Sequence, residues 1–268
     1  MNFKYIKCIN DNTLINNFYE LSVDNSSIPL NSKVIPTAQC HIIFLDTKTP
    51  IEIEFKNNTY KNNGLVVLGQ SYKSYNLKAK ASYYNFGINL HPTGLYKLLK
   101  TDVSQLTDKH IKLSDIDTGL FSILNPLFEE KNESNILAKK IEKRLLNIEL
   151  FENKNTRLVD EAIRLIYNNE GIINVEALLK LLPISQKHLE TQFKKMVGLT
   201  PLKFIKLYKF VNLMKKYESK QASITQLIDY YDYYDLSHFT KDFKLFMDQK
   251  PKEYFKSDNE FINNYLKA

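Results

Sequence analysis

Ser185-Gln-Lys-His-Leu-Glu-Thr-Gln-Phe-Lys194 is answered about fifty residues later by Asp235-Leu-Ser-His-Phe-Thr-Lys-Asp-Phe-Lys244. Laid over one another, the two segments pair His188 with His238, Phe193 with Phe243 and Lys194 with Lys244, and the register continues through Pro201 and Pro251, Phe204 and Tyr254, and Lys206 and Lys256. A residue suited to capping a helix, Ser185 or Asp235, opens each copy. Apolar positions recur at helical spacing, Leu189, Phe193 and Met196 in the first copy and Phe239, Phe243 and Phe246 in the second, so these faces turn inward. The opposite faces then display Gln186, Lys187, Glu190, Thr191 and Lys194, and Ser237, His238, Thr240, Lys241 and Lys244. Such side chains meet base edges and phosphates in a major groove. A shorter helical pattern, over 175–182 and 224–231, precedes each by a tight turn, which makes two helix-turn-helix units at about 174–198 and 224–247.

The remainder of the chain has a different texture. Cys40-His-Ile-Ile-Phe-Leu45, Ile51-Glu-Ile-Glu-Phe55 and Leu65-Val-Val-Leu68 read as strands, separated by turns such as Lys56-Asn-Asn and Lys61-Asn-Asn-Gly64. Short helices are expected over 95–100 and 120–128, and a longer one over 135–150 capped by Ser134, with Leu137, Ile141, Leu145 and Ile148 on one face. That stripe suits a dimer seam or packing on its own domain. A polar stretch near Glu152-Asn-Lys-Asn155 reads as a linker, followed by a helix capped by Thr156 and closed by Gly171. The fold class is therefore α+β in two domains: a strand-rich sandwich or barrel with accessory helices over 1–150, a linker over 151–155, and an all-helical domain over 156–268.

Composition agrees. A chain of 268 residues suffices for two cores, and 43% hydrophobic with 25% charged residues is the balance of globular proteins, not of disordered ones. The net charge of +7 favours a polyanionic partner, although a Lys-, Asn- and Ile-rich composition also follows from an AT-rich genome. Cys8 and Cys40 are too few for a disulfide scaffold or a four-thiolate zinc site and fit a reducing compartment. The N-terminus lacks an apolar signal core, and the longest apolar run, around Ile42 to Leu45, is too short to span a bilayer. The expectation is a cytoplasmic protein without a membrane partner.

The pattern from Ser185 through Gly198-x-Thr-Pro201, then Ile224-x-x-Leu227, Asp235-x-Ser-His-Phe-x-Lys-x-Phe-Lys244 and Pro251-x-x-Tyr254, resembles the DNA-binding domain of AraC/XylS-type bacterial transcription regulators. The resemblance covers about a hundred residues and implies that a long helix from Pro201 to about residue 217 joins two recognition helices, which enter successive major grooves of double-stranded DNA. It assigns base reading to Lys187, Glu190 and Thr191 in the first unit and to Ser237, His238 and Lys241 in the second; Gln186 shares the exposed face. Three positions depart from the family: Thr191 and Lys209 replace arginine, and Asp232 replaces a turn glycine. Asp tolerates a left-handed backbone better than most residues, so the turn survives. Lys194, Lys195, Lys203, Lys244, Lys250 and Lys252 are the expected phosphate contacts.

Val34-Ile-Pro36, Val67-Leu-Gly-Gln70, 86–95 and Leu106-Thr-Asp108 resemble the regulatory domain that precedes this DNA-binding domain in part of the family. The resemblance implies a small-molecule effector or homodimer formation there, and RNA polymerase as a further partner; Tyr72, Tyr75, Tyr83 and Tyr84 suit a pocket or a core. No cofactor, metal site or catalytic residue is expected: His41, His91 and His110 lack the close pairs of a zinc site and read as surface or capping residues. The rivals are a DNA-targeted repair or modifying enzyme using a cysteine, and a helical protein-interaction module.

Overall fold

A computed structural model describes residues 1–55, 58–256, 262 and 266. The first region is built of strands β1 (Asn2–Ile6), β2 (Ile15–Val23), β3 (Leu30–Val34), β4 (Cys40–Thr47), β5 (Ile51–Phe55), β6 (Asn58–Asn62), β7 (Gly64–Leu68), β8 (Tyr75–Ala79), β9 (Tyr83–Leu90) and β10 (His110–Lys112). They form two antiparallel sheets, ordered β1-β2-β9-β4-β7-β10 and β3-β8-β5-β6. The turn expected at Lys56-Asn-Asn lies partly outside the described residues.

The larger sheet is covered on both faces, which explains the unbroken apolar run in β4. Side chains alternate across a strand, so Tyr19, Leu21, Ile43, Leu45, Val66 and Leu68 pack against the smaller sheet. Phe18, Ile42, Val67, Phe86 and Ile88 point the other way, into helices. Gly87 stands opposite Tyr19, and a β-carbon there would lie 1.9 Å from the Tyr19 ring, so only glycine lets the ring lie across the sheet.

Four helices follow the strands or interrupt them: α1 (Gly94–Leu99), α2 (Leu113–Ile116), α3 (Thr118–Glu129) and α4 (Ser134–Leu146). α3 seats Phe128 on Phe44 with ring centroids 4.4 Å apart. α4 differs from its sequence pattern at both ends. Ser134 does not cap the helix; its hydroxyl instead donates to Glu20, and the helix stops at Leu146, leaving Ile148 outside. Leu137, Ile141 and Leu145 are buried against the chain's own core, with α4 lying on β1 and β2, so the stripe is internal packing.

The second region is helical: α5 (Lys154–Asn168), α6 (Val175–Leu181), α7 (Gln186–Val197), α8 (Pro201–Glu218), α9 (Ile224–Tyr230), α10 (Leu236–Met247) and α11 (Pro251–Tyr254). The cap of α5 is Asn153, with Thr156 completing a capping box from the third helical position, so the helix begins three residues earlier than its sequence suggests. Thr200 caps α8 and Pro201 occupies its first turn, where the missing N–H costs nothing. Asp232 has φ 51°, the left-handed turn conformation anticipated for it.

The two regions share one apolar core, running from Phe18 and Phe86 through Leu95 and Val103 to Leu189, Phe193 and Phe210. A buried charge fastens them as well. Lys97, fully buried on α1, donates to Asp160 at 2.8 Å and lies 3.1 Å from Glu152, while Thr93 donates to Asp160 at 2.6 Å. Asp160 and Glu152 reach Lys97 from partly exposed positions, so removing them would strand the buried ammonium rather than a carboxylate.

Candidate nucleic-acid interface

α7 and α10 are built alike from the inside out. In α7 the Ser185 hydroxyl accepts from the His188 N–H, and Leu189, Phe193, Met196 and Val197 are buried. In α10 the Asp235 carboxylate accepts from the His238 N–H at 2.6 Å, and Phe239, Phe243, Phe246 and Met247 are buried. Gly198 and Asp248, fifty residues apart, end the two helices in the left-handed region, with φ 93° and 49°. Between them α8 is buried along Phe204, Leu207, Phe210 and Val211, and so serves as a common spine for both units. Lys209 on that spine lies 4.2 Å from the Tyr233 ring centroid. Burial lowers its pKa, against the pull of Asp242 and Asp232, and the contact ties the second unit's turn to α8.

The faces left open differ. On α7, Gln186, Lys187, His188, Glu190, Thr191 and Lys194 are exposed, but several engage one another. Gln186 donates to Glu190 at 2.9 Å, the Thr191 hydroxyl donates to the Lys187 carbonyl at 2.8 Å, and His188 Nε2 pairs with Asn155 Oδ1 at 3.0 Å. On α10, Ser237, Lys241 and Lys244 are exposed, and His238 is half-buried with its ring 5.1 Å from Tyr233. Lys250 and Lys252 flank the start of α11, where the Lys250 N–H donates to Glu253.

The first region grips the far ends of both helices. The Thr107 hydroxyl donates to the Gly198 carbonyl at 2.9 Å; the Ser74 N–H donates to the Phe246 carbonyl at 2.7 Å, and Lys33 donates to the Met247 carbonyl at 2.9 Å. Carbonyls in a helix's last turn lack internal partners, and a cation is favoured there by the helix dipole. A β-carbon at Gly198 would lie 2.8 Å from Thr107 Oγ1, so this approach, like the positive φ, requires glycine. Two of the lysines expected at phosphates are drawn into this seam: Lys195 sits 5.8 Å from the Tyr96 ring centroid and Lys203 sits 5.3 Å from that of Tyr72. Sequence reasoning missed the roles of Lys33, Ser74 and Thr107, since a contact across more than ninety residues leaves no local signal. It also passed over two exposed apolar side chains, Tyr234 and Leu236, although the fifty-residue register places Leu236 on Gln186.

Residues 178–257 match the model of a helix-turn-helix domain. The chain is a transcription regulator with an AraC-type DNA-binding domain. Residues 12–112 match a domain of unknown function, DUF6597. No curated protein sequence matches the regulator. Among solved structures it is similar to ToxT from Vibrio cholerae O395 bound to (E)-4-(8-methylnaphthalen-1-yl)but-3-enoic acid, at 15% identity over 98% of this chain and 100% of that one, TM-score 0.49. Unsaturated fatty acid-bound ToxT from Vibrio cholerae strain SCE256 is similar at 16% identity over 92% and 96% of the chains, TM-score 0.45. The AraC-like transcriptional activator CuxR is similar at 12% identity over 75% of each chain, TM-score 0.26.

His41 and His110, expected at the surface or as caps, are buried between the sheets of the regulator instead. Among the described residues no group of three or more His, Cys, Asp or Glu could hold a metal ion, and no helix is long and apolar enough to cross a membrane. Burial raises the Cys40 thiol to about 12, and burial with the nearby Glu142 raises Cys8 to about 11, so both are weak sources of thiolate at neutral pH.

Proposed function

We propose that the regulator binds promoter DNA with α7 and α10 in successive major grooves on one face of the duplex, and that its first region tunes this grip in response to a small molecule. The observation that carries the first part is the pair of like-built helices on the single spine of α8, each presenting an N-terminal polar face. Lys187, Glu190 and Gln186 on α7, and Ser237, His238 and Lys241 on α10, read bases; Thr191 contributes less, since its hydroxyl is spent on its own helix. Lys194, Lys244, Lys250 and Lys252 neutralise phosphates.

The second part rests on the seam and on a cavity of about 60 Å³ between the two sheets. Its walls are apolar, from Leu21, Ile43, Ile53 and Leu77, with Asn62, Asn85, His41 and His110 among them; among the described residues no Asp, Glu, Lys or Arg lines it. The Asn85 Oδ1 and His110 Nε2 atoms there are buried and find no hydrogen-bond partner among the described residues. Such a site suits a small uncharged molecule with both a donor and an acceptor. A signal there reaches the DNA helices through β3, which carries Lys33, and β10, which follows Thr107. No catalytic role is proposed.

Selection of bound fragments from random duplex DNA tests the reading. The expected outcome is a site of two half-sites whose centres are about 10 to 10.5 base pairs apart, bound with an affinity that falls steeply with salt. No enrichment, with a flat salt response, would favour the protein-interaction alternative.

A further inference from the structure

We infer that Leu236 reads a thymine methyl group in the half-site held by the second helix-turn-helix unit. The inference rests on the reading above, in which α10 lies in a major groove. Leu236 is the first residue of α10, directly behind its Asp235 cap, and is 64% exposed; Tyr234, just before the cap, is 94% exposed. Neither is needed to fill the unit, whose core is closed by Phe239, Phe243 and Phe246. A large apolar side chain held in water at that point is therefore explained by what it meets outside.

Three observations say what covers it. The first residues of a recognition helix are those that reach base edges. In the fifty-residue register Leu236 falls on Gln186, and both are the first residue of their helix. Ser237, the next residue, is exposed and shares its helix face with exposed Lys241 and Lys244, so a partner that meets the start of α10 also meets two ammonium groups, which suits a polyanion. On the major-groove edge of a duplex the apolar group on offer is the C5 methyl of thymine. Glutamine at this place pairs with the two polar atoms of adenine, whereas leucine has nothing to offer them and gains only from the methyl. The two units thus open with different chemistry, polar in the first and apolar in the second.

The test uses the full chain and its selected operator. Each thymine in the half-site under α10 is replaced in turn by deoxyuridine, which lacks only the methyl. At one position the unaltered protein is expected to lose about fourfold in affinity, corresponding to about 0.8 kcal/mol for one buried CH₂-sized group. Leu236→Ala should lose about the same factor on the thymine duplex and be indifferent to deoxyuridine at that position. Leu236→Gln should move the preference there from thymine toward adenine. Because the side chain is exposed, both variants should keep the parent's Tm, which controls for folding. A deoxyuridine penalty that persists undiminished in Leu236→Ala overturns the assignment, as does a protein that protects both half-sites yet senses no thymine methyl. Failure to bind any duplex would instead sink the DNA reading itself, and the assignment with it.

Discussion

The first helix-turn-helix unit buries Phe193 against Phe204, with rings 5.5 Å apart, and the second buries Phe243 among Phe210, Tyr254 and Phe255 at 5.5 to 5.7 Å. Caps, core positions and left-handed helix ends correspond throughout. The outward faces do not. α7 ties Gln186 to Glu190 and Thr191 to its own backbone, and its exposed His188 reaches back to Asn155. α10 leaves Ser237, Lys241 and an apolar Leu236 open. A repeated fold constrains what is inside each unit, where a lost methylene is felt, and leaves the outward-facing side chains free to diverge. The second unit is therefore expected to carry the sharper discrimination, and the first to act more as an anchor.

The largest expected effect probes the shared interior. Phe193→Ala and Phe243→Ala should each cost about 3 to 5 kcal/mol in urea unfolding. If one were tolerated within experimental error, the two cores would not be equivalent. Next, Lys241→Ala should weaken operator binding by about 1 to 3 kcal/mol and relax preference at one base pair, while Thr191→Ala should change neither measurably. Equal losses for the two variants in a competition gel shift would erase the proposed difference between the units.

A third expectation separates the two regions by their histidines. Burial holds His41 near 4, below its ordinary 6.5, so the folded chain keeps it neutral where the unfolded chain protonates it. The unfolded state then binds more protons as pH falls below about 6.5, and stability that is complete above that value is lost toward pH 4, by about 2 kcal/mol at pH 5 from this residue alone. Urea midpoints at pH 7.5 and 5 measure the loss, and His41→Gln should shrink the difference between them. The smallest effect distinguishes two lysines one residue apart. Lys194→Ala should reduce the salt slope of DNA binding by about 1, whereas Lys195→Ala should leave the slope unchanged and cost roughly 0.5 kcal/mol at the Tyr96 contact. A salt slope altered equally by both would return Lys195 to the phosphate contacts.

Much of this was readable from the chain. The repeat placed both recognition helices, α8 and the buried faces of Phe193 and Phe243, because helical spacing and caps are local signals. The β-rich first region was legible from alternating and apolar runs, although not the pairing of β3 with β8 and of β5 with β6 in a second sheet, which depends on contacts far apart in sequence. Ser134 misled because a serine before an apolar stripe resembles a cap; the Glu20 carboxylate claims its hydroxyl instead. Lys195 and Lys203 were legible as basic residues but not as partners of Tyr96 and Tyr72, since no local pattern records a domain seam. Leu236 was hidden for a different reason: reading the second face for polar groups passes over the one position where the groove offers something apolar.

In the proposed complex α7 and α10 engage one face of the same duplex together. Inserting about 5 base pairs, half a helical turn, between the two half-sites of the selected operator tests it most directly. Binding is expected to collapse toward the affinity of a single half-site, and not to recover with about 10 inserted base pairs, because α8 fixes the separation of the two helices as well as the face they share. Undiminished affinity across the half-turn insertion would contradict it, because two helices fixed on one rod cannot follow a half-site to the opposite side of the DNA.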